Sequence, residues 1–138
     1  MFITGDFNAR VGQSCDYVEN INVDRCVPMP YTDSDLYSNM PSRASNDFTV
    51  NNFGNRLLTL CKENDLYIVN GRLESGNYTC YNTIRNFTAC SVVDYLITSL
   101  NNLSCICSMD VLYITEFSDH CPIKFSLHCN DSLLYQMY

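Results

Sequence analysis

The 138 residues carry a formal net charge of −7, with 46% hydrophobic and 17% charged side chains and with ten Tyr and seven Phe. That composition excludes a disordered chain and argues against a general nucleic-acid-binding surface, which is basic. The length suits one domain with a substantial core, and no apolar run approaches the roughly 18 residues of a membrane-spanning helix.

Met1-Phe2-Ile3 runs straight into Asp6 and Arg10, which is no signal peptide, so the expectation is a soluble, intracellular chain without membrane partners. Residues 1 to 8 read as a short strand ending in Gly5-Asp6-Phe7-Asn8. If the strand persists, alternation projects the Asp6 carboxylate and the Asn8 carboxamide from one face. The plainer alternative is an Asp/Asn-rich turn closing a strand. From Gln13 to about Asp47 the chain is polar, with Pro28, Pro30 and Pro41 and no sustained period, and it reads as a long excursion.

A helix follows, with Asn51 or Asn52 as N-cap, an apolar face of Phe53, Leu57, Leu58, Leu60 and Cys61, and Asn64 as a left-handed stop. Leu66-Tyr67-Ile68-Val69 is a strand closed by an Asn70-Gly71 turn. Further strands are expected over 77–81, 91–97, 109–114 and 121–127, with a polar turn over 82–86 and a short helical turn over 100–103. Asp94 lies inside the most apolar of these strands, where a carboxylate needs a partner.

Nine cysteines, at 15, 26, 61, 80, 90, 105, 107, 121 and 129, are an odd number and contain no Cys-x-x-Cys. They read as reduced thiols, with Cys61, Cys90 and Cys121 acting as small buried hydrophobes. The sequons at Asn77 and Asn86 match by pattern only. His128 falls at the far end of the last strand and reads as a surface residue, and Tyr67, Tyr78, Tyr81 and Tyr95 read as packing rather than base-stacking groups.

Three islands combine acidic or imidazole groups with a strand: Gly5-Asp6-Phe7-Asn8, Ser91-Val92-Val93-Asp94-Tyr95 and Ser118-Asp119-His120-Cys121-Pro122-Ile123. In this order they resemble the C-terminal half of the endonuclease/exonuclease/phosphatase superfamily. Within it, the chain looks most like the endonuclease domain of non-LTR retrotransposon polyproteins, which also carry a reverse transcriptase. The likeness extends to Asn52-x-Gly54-x-x-Leu57, Ile68-Val69-Asn70-Gly71 and Tyr78-Thr79, and covers residues 1–128, leaving 129–138 as a C-terminal tail.

The resemblance implies an α/β (α+β) fold with mostly antiparallel sheets, one half of a four-layer α/β/β/α sandwich. It implies metal-dependent phosphodiester hydrolysis on DNA, with Mg²⁺, or Mn²⁺ in its place, as cofactor and the nucleus as location. By resemblance Asp119 is a metal ligand, Asp6 supports the metal and orients or deprotonates the attacking water, and Asn8 donates to the phosphate. His120 contacts the scissile phosphate or assists proton transfer, and Asp94 holds its other ring nitrogen. Arg10, Arg72 and Arg85 are the candidate phosphate contacts, and Asn70 reads either as part of the site floor or as a turn residue.

The half of the superfamily fold that supplies a metal-binding glutamate has no counterpart here, since Glu19, Glu63, Glu74 and Glu116 all fall in other contexts. A chain truncated in this way is expected to be impaired or inactive alone and to self-associate through an exposed half-core. Two other readings share the three islands: a phosphatase or lipid phosphodiesterase of the same superfamily, and a non-catalytic remnant serving as an interaction module.

Overall fold

Alternation along the most apolar strand sets the architecture. In the computed structural model, which describes residues 1–18, 41–84, 87–128 and 136–137, strand β5 (Asp94–Ser99) is the centre of a three-stranded antiparallel sheet. It is flanked by β1 (Phe2–Asp6) and β2 (Leu66–Ile68), in the order β1-β5-β2. Tyr95 and Ile97 point to one face and Leu96 to the other, so both faces of the sheet carry apolar side chains.

Helix α1 (Asn52–Glu63) covers the first face. Its Leu57, Leu58 and Cys61 pack with Ala9, Val11, Leu66, Ile68, Val92, Tyr95 and Ile97, and Ile3 and Phe7 join from β1 and the turn after it. Phe53 and Leu60, expected on that face, are 56% and 46% exposed; Gly54 takes the buried place instead. A Cβ at Gly54 would stand 1.8 Å from the Arg10 carbonyl oxygen, so the Asn52-x-Gly54 pattern is a contact between the helix start and the turn after β1. Asn51 is the N-cap: its side-chain oxygen accepts from the N–H groups of Gly54 and Arg10, and its amide donates to the Asn8 carbonyl. The left-handed residue past the helix is Asp65 (φ 50°), not Asn64, whose φ is −123°.

The second face meets another sheet. Its core strands are β6 (Ile106–Val111) and β7 (Ile123–Leu127), with β8 (Gln136–Met137) paired to β7. Val69 and Leu96 pack there against Ile106, Met109 and Phe125, with Phe2 beside them. A hairpin of β3 (Cys80–Ile84) and β4 (Phe87–Ser91) forms a third, two-stranded sheet, so the strand expected over 77–81 starts three residues later and extends to Ile84, into the segment expected as a turn. The strand expected over 91–97 is broken at Val92-Val93, and α2 (Leu100–Leu103) is the expected short helical turn. The fold is thus α+β, built from open antiparallel sheets. Among the described residues no helix is long and apolar enough to cross a membrane.

The two ends of the polar excursion are fastened to this frame by carboxylates. Asp16, 1% exposed, accepts both guanidinium NH groups of Arg72 at 3.0 and 2.7 Å and the Ile68 N–H at 2.7 Å. Asp47, 3% exposed, accepts from Arg10 through two bonds of 2.7 Å and from the N–H groups of Thr49 and Val92. Pro28 and Pro30 of the excursion, Cys26 and Cys129, and the tail 129–135 with Tyr138 lie outside the described residues. The described cysteines are free thiols; Cys61 and Cys121 are buried, whereas Cys90 is only half-buried.

Removing Asp16 strands a cation that has no access to water. Asp16→Ala should destabilise the fold by about 3–5 kcal/mol in urea denaturation, the usual cost of breaking a buried pair from one side. Asp47 supplies the pH test. Burial pushes its carboxyl up, but the Arg10 guanidinium and the Thr49 and Val92 N–H groups together hold it below the usual carboxylate range. Its contribution is therefore present above the unfolded value of about 3.9 and is lost as pH falls through the lower folded value. In Asp47→Asn, the fall of the urea midpoint at acid pH should be shallower than in the parent chain.

Candidate active site at the β1–β5 edge

The register of β1 against β5 places Asp6 opposite Asp94. Directly opposed residues of an antiparallel pair share a face, and like charges there are unfavourable, so two carboxylates in this register gain from a positive or proton-donating partner. His120 is that partner for Asp94: its Nδ1 lies 2.9 Å from Asp94 Oδ2. The Asp94 side chain is 14% exposed and that of His120 34%, so the carboxylate is sheltered and the ring reaches solvent.

Each of these positions has a local cause. Thr79, fully buried, accepts the N–H groups of both Val93 and Asp94 on its hydroxyl at 3.0 Å, which fixes the start of β5. Asn70, 2% exposed, donates to the Asp94 carbonyl and accepts from the Leu96 N–H. Its side chain is committed to the β5 backbone, so Asn70 is a positioning residue beneath the site. The segment before β7 is held by backbone pairing: Cys80 bridges to His120, the Tyr81 N–H donates to the Asp119 carbonyl, and the Cys121 N–H donates to the Thr79 carbonyl. Ser118 accepts the His120 N–H on its hydroxyl.

The other predicted groups fall into three sets. Asp6 and Asp119 are exposed, and both act electrostatically on His120. Asn8 departs from the strand expectation: β1 ends at Asp6, and Asn8 is left-handed (φ 49°) with its N–H on Asp6 Oδ1 at 2.7 Å. Strand alternation therefore does not set its side chain beside that of Asp6, and the tetrad is a strand end closed by a side-chain turn. Both described candidate arginines are engaged by carboxylates. Arg72, with a side chain 1% exposed, is enclosed with Asp16 and also donates to the Ile68 carbonyl, which corrects its reading as a phosphate contact. Arg10 has a third of its side chain exposed but is chelated by Asp47, so its charge is already balanced. Arg85 lies outside the described residues.

Tyr67 and Tyr95 are buried, as packing residues should be, and Tyr78 meets Tyr81 edge to face at 6.1 Å. His128 is exposed at the end of β7. A pocket lined by Asp16, Cys61, Leu66 and Tyr67 includes none of the predicted site residues.

Among the described residues, one trio of metal-ligating types converges: Cys80, Asp119 and His120, with a ligand atom of each within 4.8 Å of the others. Cys80 had no sequence signal, because it stands 40 positions from His120 and only the β-bridge brings the two together. The donor set bears on the expected Mg²⁺. That ion takes oxygen ligands and is commonly held by one or two carboxylates plus waters, so Asp119 fits such a role while the thiol and imidazole do not. Glu74 caps the 71–77 turn through the Gly71 and Asn77 N–H groups, Glu63 ends α1, Glu116 is exposed in the loop before His120, and Glu19 lies outside the described residues.

The sequence matches no protein-family model and no curated protein.

The Asp94 hydrogen bond raises the His120 imidazolium above the usual histidine range, partly opposed by burial and reinforced by the charges of Asp94, Asp6 and Asp119. Any stability gained from that bond is present below the ordinary histidine value and is lost as pH rises through the raised folded one. Proton NMR of the ring C–H signals in metal-free buffer should show a His120 midpoint above the ordinary histidine value of about 6.5. Asp94→Asn should lower that midpoint towards the ordinary value; an unchanged His120 midpoint would disprove the coupling.

Proposed function

We infer that this chain carries the acid–base side of a phosphodiester-cleaving centre, of the lineage of retrotransposon DNA endonucleases. The observation that supports this most is the Asp94–His120 pair, standing at a strand end where a second carboxylate, Asp6, is in register with Asp94. A fold optimised only for stability gains little from opposing two carboxylates and recruiting a half-buried histidine to relieve them. Sites that must move protons accept such costs.

The chemistry assigned to each group follows from its surroundings. Asp94 holds Nδ1–H and so fixes the tautomer and orientation of the ring, leaving Nε2 for the substrate. With its pKa raised, the ring is biased to the imidazolium, which donates a hydrogen bond to a phosphoryl oxygen and stabilises charge gathering there. Asp6, exposed and at the end of β1, is the carboxylate able to accept a proton from the attacking water. Asn8 is assigned as a donor to the phosphate from the turn that Asp6 closes. Asp119 would hold Mg²⁺, whose chemistry at such a centre is to polarise the phosphoryl oxygens.

DNA is the substrate on this reading, and the acidic chain meets it through the site rather than through a basic surface. With Asp119 the sole oxygen ligand in the converging trio, Mg²⁺ should be held weakly and turnover by this chain alone should be slow. The test is nicking of supercoiled plasmid by the purified chain in Mg²⁺, with an inositol phosphate as the competing substrate. Slow nicking, abolished by His120→Ala and reduced about 100-fold or more by Asp94→Asn, is the expected result. Nicking that is identical in the parent chain and in His120→Ala, or hydrolysis of the inositol phosphate alone, would overturn it.

A further inference from the structure

We propose that Cys80, Asp119 and His120 form a binding site for Zn²⁺ or a similar borderline-soft divalent cation, with Asp94 as the carboxylate that orients its histidine.

The geometry is that of a three-ligand site with an open fourth position. Ligand atoms around tetrahedral zinc stand roughly 3.5 Å apart, given bonds of about 2.0–2.3 Å to nitrogen, oxygen and sulfur. Here the three atoms already lie within 4.8 Å of one another, so closing the site takes an ångström or so of side-chain rotation. The backbone need not move, because Cys80 and His120 face each other across a β-bridge and the Asp119 carbonyl is held by the Tyr81 N–H.

The histidine is prepared for this role. Metal-binding imidazoles usually give their second nitrogen to a carboxylate, and His120 Nδ1 is engaged in that way by Asp94 at 2.9 Å, which leaves Nε2 for the ion. Burial is graded, with Cys80 and His120 half-buried and Asp119 exposed, so the ion would enter from solvent on the Asp119 side and keep water in the fourth position. A sulfur, a nitrogen and one carboxylate select zinc over the hard ions Mg²⁺ and Ca²⁺. Binding converts the Cys80 thiol to a zinc-bound thiolate and releases its proton to solvent, with no change in oxidation state.

Occupancy commits both Asp119 and His120. On the hydrolytic reading given above, zinc would therefore inhibit the site rather than serve it, while the binding itself stands without that reading.

The probe is Co²⁺, titrated into the reduced, metal-free full chain and then displaced with Zn²⁺. One equivalent should produce a thiolate-to-cobalt charge-transfer band in the near ultraviolet that Zn²⁺ abolishes. Cys80→Ser should lose the band, the double variant Cys105→Ser/Cys107→Ser should keep it, and Asp94→Asn should weaken binding about 10–100-fold. Circular dichroism checks the fold of each variant. Should Cys80→Ser fail to fold, alkylation of the parent chain mapped by mass spectrometry replaces it, and Zn²⁺ should protect Cys80 selectively. No charge-transfer band in the parent, a band that survives in a folded Cys80→Ser, or equal alkylation of Cys80 with and without Zn²⁺ overturns the site. Zinc binding that leaves plasmid nicking unaffected would instead count against His120 in hydrolysis, keeping the two readings separable.

Discussion

Two residues, Val92 and Val93, interrupt what would otherwise be one strand, and their backbone groups decide where everything else lies. Both are buried, so their N–H groups cannot turn to water. Side chains satisfy them: Asp47 accepts from Val92, and the Thr79 hydroxyl accepts from Val93 and from Asp94. The carbonyls are used as well, Val93 receiving the Phe7 N–H and Val92 the Tyr95 hydroxyl. Because of the break, β4 leaves to pair with β3 in its own hairpin, while β5 starts afresh with Asp94 as its first residue. Had the strand run straight through, Asp94 would be an interior residue rather than a terminal one beside the incoming His120.

The same junction ties the site to the distant polar excursion. Asp47 links the break to Arg10, the Arg10 carbonyl lies against Gly54 and accepts the Asn51 N–H at the start of α1, and Asn51 spans from the helix start to Asn8. The turn after Asp6 is therefore positioned by the helix and by the excursion together. This explains why two arginines of a chain with only eight Lys and Arg are spent on carboxylates inside the structure. A guanidinium with a forked set of donors is the side chain best able to saturate a buried carboxylate, and once it does so its field is largely cancelled.

The parts legible in the sequence were those governed by local patterns. The periodicity of Leu57, Leu58 and Cys61 marks α1, its Asn cap is adjacent, and the apolar run at 91–97 marks the place of β5, though β5 itself runs from Asp94 to Ser99. Asp94 needing a partner was likewise readable, because a carboxylate among Tyr, Leu and Ile has few ways to persist. What could not be read depends on pairing between distant segments. Arg72 looks available in sequence, and only its placement beside Asp16, 56 positions away, shows that it is enclosed. Cys80 looks like one of nine interchangeable thiols until a bridge sets it opposite His120. Gly54 illustrates the middle case: the motif was visible, yet its reason, a carbonyl at van der Waals contact, is tertiary.

An Asp–His pair beside an exposed carboxylate and a thiol is chemically two-sided. To a phosphodiester it offers a charged donor, and for that the ring must keep Nε2–H. To a thiophilic cation it offers a lone pair at the same nitrogen, for which the proton must leave. Asp94 favours both states, since a carboxylate at Nδ1 stabilises the imidazolium and also makes neutral imidazole a stronger ligand. What decides between them is Cys80, because without its sulfur the remaining Asp119 and His120 are a poor zinc site and an ordinary acid–base pair. The single side chain without a place in the hydrolytic scheme is thus the one that governs which chemistry the edge can support.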